Sequence, residues 1–141
     1  MRKLLALLLL LALSGAALGQ MVTVFPAPQG GQALPAFGSN TGTSGSVTAT
    51  LTGAASKFTY LCGFTVTSAG TTSATAVNVT VTGAGTTLNH TYACVSSGQG
   101  LMGIAFPGCL ASSATNANFV VTLPACGAGS TVAITAWGYL N

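Results

Sequence analysis

Phe58-Thr59-Tyr60-Leu61-Cys62-Gly63-Phe64-Thr65-Val66 decides the fold. Residues Phe58, Tyr60, Cys62, Phe64 and Val66 alternate with Thr59, Leu61, Gly63 and Thr65, so one face is apolar and the other mostly hydroxyl or small. Side chains of a β-strand point to opposite faces with a period of two, and aromatic and β-branched residues suit a half-buried pleated surface. The stretch therefore predicts a strand with Phe58, Tyr60, Cys62, Phe64 and Val66 toward a core.

The same period recurs on both sides. Upstream, Val47, Ala49 and Leu51 oppose Thr48, Thr50 and Thr52. Downstream, Val77, Val79 and Val81 oppose Asn78, Thr80 and Thr82, followed by Leu88, Tyr92 and Cys94, then Met102, Ile104 and Phe106, then Phe119, Val121 and Leu123. The last strand, Thr131 to Leu140, puts Val132, Ile134 and Ala136 inward. Gly-rich and Ser-rich turns separate these runs, and none repeats at helical spacing. Seven short strands predict an all-β protein, a two-sheet antiparallel β-sandwich, with a jelly roll favoured if the preceding segment adds an eighth strand.

That preceding segment, 20–45, is rich in Pro, Gly, Ser, Thr and Gln and is expected to be an N-terminal arm, paired at most over Met21 to Phe25. Residues 1–19 read as a secretory signal peptide: Arg2 and Lys3, an apolar run from Leu4 to Leu13, and a small-residue exit at Ala17-Leu18-Gly19. That run is too short to span a bilayer. The expected organisation is a leader (1–19), an arm (20–45) and a sandwich domain (46–141). The expected location is secreted, with periplasm or cell surface as variants and no membrane association after cleavage.

Lys57 is the one formally charged side chain beyond the leader, and the chain has no Asp or Glu. The basic footprint that nucleic-acid binding requires is missing. Glycosidase carboxylate pairs, Ser-His-Asp triads and oxygen cages for calcium or magnesium cannot be assembled. No cofactor and no enzymatic activity are expected. His90 is in phase with Leu88 and Tyr92, which makes it a core residue and not a catalytic one. Beyond the leader, hydration must come from 21 Thr and 11 Ser. A neutral surface weakens the self-repulsion that keeps copies apart.

Cys62, Cys94, Cys109 and Cys126 all lie in the exported part, where an even count predicts two disulfides. No CxxC pair suggests zinc, and spacing leaves three connectivities open. Trp137 and Tyr139 fall on the face opposite Val132 and Ile134 unless a bulge at Gly138 resets the register, which makes them candidate interface or binding residues. Asn78-Val79-Thr80 and Asn89-His90-Thr91 match the N-glycosylation pattern.

Three segments carry a resemblance: Tyr60-Leu61-Cys62-Gly63-Phe64, the run Phe106-Pro107-Gly108-Cys109 through Asn116, and Ala136-Trp137-Gly138-Tyr139. Together they resemble a group of small exported or phage-associated bacterial β-sandwich proteins, similar in build to virion decoration and head-fibre jelly rolls. The resemblance implies a non-enzymatic surface or assembly role, with Cys62 bridged to Cys109 and Cys94 to Cys126. Two functions are expected from these readings. In one, the chain is a structural protein forming a homo-oligomer, a trimer being one candidate, or a larger assembly. In the other, it is an adhesion or carbohydrate-binding module that stacks exposed aromatics on a neutral glycan.

Overall fold

In a computed structural model, residues 33–71, 74–96 and 98–141 are described. The expected leader, the Met21–Phe25 pairing and the first part of the arm lie outside them. Eight strands follow in order: β1 Leu34–Thr43, β2 Val47–Leu51, β3 Thr59–Ala69, β4 Thr75–Thr82, β5 Leu88–Cys94, β6 Gln99–Ala111, β7 Phe119–Leu123 and β8 Thr131–Leu140. All ladders are antiparallel, and the strands form two four-stranded sheets ordered β1-β8-β3-β6 and β2-β7-β4-β5. Only β4 and β5 are joined within one sheet, and every other connection crosses between sheets. First and last strands lie side by side, so the sandwich is a jelly roll.

The eighth strand, β1, comes from the segment expected to be an arm, so the sandwich begins at Leu34 and not at residue 46. Pro35 is tolerated because β1 is an edge strand. Its inward positions are small: a Cβ on Gly38 would collide with the Thr50 backbone, so β1 lies directly on β2.

Alternation builds the core. Leu51, Val79, Val81, Phe119, Val121 and Leu123 from one sheet meet Leu61, Phe64, Val66, Val132 and Ile134 from the other, all fully buried. Met102, Ile104 and Phe106 are half-buried against them.

One expectation is reversed at the start of β3. The register shifts between Leu61 and Gly63, where Cys62 is an extra residue against β8. A bulge inverts the parity of everything before it. Thr59 and Leu61 are therefore core residues at 0% exposure, and Phe58 and Tyr60 turn outward. The buried Thr59 hydroxyl donates to the Ala117 carbonyl over 2.7 Å, and its N–H donates to Ser112 Oγ at 3.0 Å. Because the extra residue sits in β3, β8 runs without interruption. Gly138 is required there, since a Cβ would strike the Tyr60 carbonyl.

The disulfides are Cys62–Cys109 and Cys94–Cys126. The first pins the β3 bulge to β6, where Phe106 to Cys109 stand opposite the single residue Cys62. The second ties the end of β5 to the β7–β8 connection. Both suit an oxidising compartment. No helix among the described residues is long and apolar enough to cross a membrane.

Candidate functional site

Side chains that alternation turns away from the core line up in rows across β1, β8, β3 and β6. Their register gives Pro35–Tyr139–Tyr60–Ala111, then Phe37–Trp137–Gly63–Ala105, then Ser39–Thr135–Thr65–Gly103, then Thr41–Ala133–Thr67–Leu101. Phe58, hydrogen-bonded to Asn141 in both directions, continues the face beyond Tyr60. One end is thus aromatic, and the other is hydroxyl-rich apart from exposed Leu101. No row contains a charge.

Trp137 and Tyr139 both belong to this outer face, as their phase predicts. They differ in exposure. The Trp137 ring lies across Gly63, whose missing Cβ makes room for it, and is half-buried. Tyr139 is 9% exposed because Tyr60 stacks on it, with ring centroids 4.7 Å apart. Burial, with the Tyr60 phenol adding to it, holds the Tyr139 hydroxyl above the usual tyrosine value. Phe37, next to Trp137 in the ladder, is 72% exposed.

Four large apolar side chains are exposed among the described residues: Leu34, Phe37, Phe58 and Leu101. Three of them stand on this one face. Sequence reasoning missed Phe37, Phe58 and Tyr60. The first lies in a segment read as an arm, and the other two were assigned to the core by a parity that the bulge inverts.

His90 points inward, as its phase predicts. Its ring lies edge-on to Phe64 at 5.5 Å between centroids and 6.1 Å from Phe106. Its buried Nε2 has no hydrogen-bond partner. Among the described residues, no hydroxyl, thiol or second base is hydrogen-bonded to that nitrogen. Among the described residues, no three His, Cys, Asp or Glu side chains gather as metal ligands.

The outer face of the other sheet is hydroxyl and amide, with Thr48, Thr122, Thr80 and Asn89 in register and Asn78 opposite Thr91. Asn78 and Asn89, the two glycosylation candidates, are both exposed there. No protein-family model matches the chain, and no curated protein matches its sequence.

Proposed function

We propose that the chain is a non-enzymatic exported structural protein whose copies build an extracellular or virion-like surface assembly. The observation that carries this reading is the outer face of the β1-β8-β3-β6 sheet, where exposed Phe37 and Phe58 flank Trp137, Tyr60 and Tyr139 at one end, exposed Leu101 stands at the other, and no row carries a charge. A soluble monomer gains nothing from concentrating apolar side chains on one open sheet face, and contiguous patches of this kind mark interaction sites. Lys57 is the one charge left to oppose association. The disulfides and the leader-like start of the chain support export.

The same aromatic platform supports a second reading, a carbohydrate-binding or adhesion module that stacks a neutral sugar on Trp137. Size-exclusion chromatography with light scattering on residues 20–141, across a hundredfold range of concentration, separates the two. A mass that exceeds one chain and persists on dilution supports assembly. A monomer at every concentration, together with quenching of Trp137 fluorescence by soluble neutral polysaccharides, replaces it with glycan binding.

A further inference from the structure

We infer that the aromatic end of the β1-β8-β3-β6 sheet is the contact between two copies of this chain, packed face to face about a two-fold axis. This rests on the assembly reading and locates its interface. The chain has ten aromatic residues, and Phe37, Phe58, Tyr60, Trp137 and Tyr139, half of them, stand on this outer face instead of in the core.

The occupant follows from charge, pattern and area. A surface with no charged group gives a charged partner nothing to pair with and imposes a desolvation cost on it. The chain's own surface, neutral apart from Lys57, carries no such cost. The face is also self-complementary. A two-fold axis parallel to the strands lays each row on its own counterpart, aromatic on aromatic, and the Ser39–Thr135–Thr65–Gly103 and Thr41–Ala133–Thr67–Leu101 rows continue the contact toward the other end. A patch shared by both copies is what two-fold symmetry demands. Four strands about 4.8 Å apart, with ten residues of β8 at about 3.4 Å each, offer roughly 650 Å² of face when the hydroxyl rows are counted with the aromatic ones. That approaches the ~800 Å² per partner of a standard-size interface.

Phe37 is the anchor. It is the most exposed of the five rings and lies beside Trp137. Trp137 is the chain's single tryptophan, so its fluorescence reports this surface without labelling.

The test compares residues 20–141 with Phe37→Ser and, as a control on the opposite sheet, Val120→Ser. Mass is read by light scattering, and Trp137 by acrylamide quenching across a dilution series. Expected is a dimer or a multiple of it, with Trp137 several-fold less quenchable at high concentration. Phe37→Ser weakens the association by on the order of tenfold or more and exposes Trp137, whereas Val120→Ser leaves both unchanged. Melts of each variant confirm that the fold is intact. An oligomer that survives Phe37→Ser with Trp137 equally quenchable at all concentrations overturns this interface and leaves the assembly reading standing. A wild-type chain that stays monomeric overturns both.

Discussion

Tyr60 and Tyr139 stand directly opposite each other in the β3–β8 ladder and stack with their ring planes 13° apart. The bulge at Cys62 makes this pair. Without the extra residue, Tyr60 would keep the phase of Phe64 and enter the core, and Tyr139 would have no ring to cover it. Local covalent pattern, cystine placement and surface chemistry are therefore linked at one point of the sheet.

The pair predicts alkaline sensitivity. Because burial and then Tyr60 raise the Tyr139 value, the folded state holds its proton at a pH where the unfolded chain has lost it. This contribution is fully present below the unfolded tyrosine value of about 10 and is lost as pH rises through the higher folded value. Thermal melts from pH 8 to 11.5 should show Tm falling more steeply in the wild type than in Tyr139→Phe, which keeps the ring and removes the ionisable group. Equal slopes in the two proteins would show that Tyr139 does not carry this linkage.

The cystines should dominate stability. They close loops with sequence separations of 47 and 32 residues. Restricting the unfolded chain over such loops is worth about 4 kcal/mol each in the chain-entropy account. Replacing Cys94 and Cys126 together by Ala is expected to lower the unfolding free energy by roughly that amount, read from urea unfolding. Replacing Cys62 and Cys109 should cost a similar amount and also loosen the bulge, seen as a red shift of Trp137 emission. A loss under about 1 kcal/mol from either double replacement contradicts this account.

Gly138 and Gly63 predict two different outcomes on one surface. At Gly138 a methyl group meets the Tyr60 carbonyl, which is fixed backbone, so Gly138→Ala should cost on the order of 3 kcal/mol or prevent folding. At Gly63 the methyl meets the Ile104 carbonyl on β6 as well as the Trp137 ring. Gly63→Ala should therefore also destabilise the fold, and unlike Gly138→Ala it should displace Trp137 directly, giving red-shifted, more quenchable fluorescence. Wild-type stability in Gly138→Ala would show that this close approach is relieved at no cost.

Period-two alternation made seven strands readable because their inward residues are branched or aromatic, as in Val77, Val79 and Val81 or Val132 and Ile134. It failed for β1, whose inward Ala36, Gly38 and Gly42 are small so that it can lie on β2. It also failed for Phe58 and Tyr60. A bulge leaves no mark in apolar periodicity, and Cys62 looks like any other member of its run. Cystine spacing left three pairings open because connectivity is set by which strands neighbour each other. Trp137 and Tyr139 were legible as outward residues because β8 is unbroken, whereas Phe37 became visible only once β1 was placed in the sheet.

The acid limb is where composition speaks most directly. Unfolding by acid normally proceeds through carboxylates that are paired in the native state, and this chain has no Asp or Glu. His90 is the chain's single histidine. Its Nε2 is buried without a partner, with Phe64 and Phe106 around the ring. A buried polar atom left unsatisfied costs about 1–3 kcal/mol, and an apolar group of similar shape removes that cost. His90→Phe should consequently melt at the same temperature as the wild type or higher at neutral pH. With no carboxylate to protonate, the variant's Tm should stay nearly constant from pH 7 down to pH 3 at fixed salt. Steep acid unfolding that persists in His90→Phe would mean that a group absent from the amino-acid sequence, such as a modification or a bound partner, supplies the missing charge.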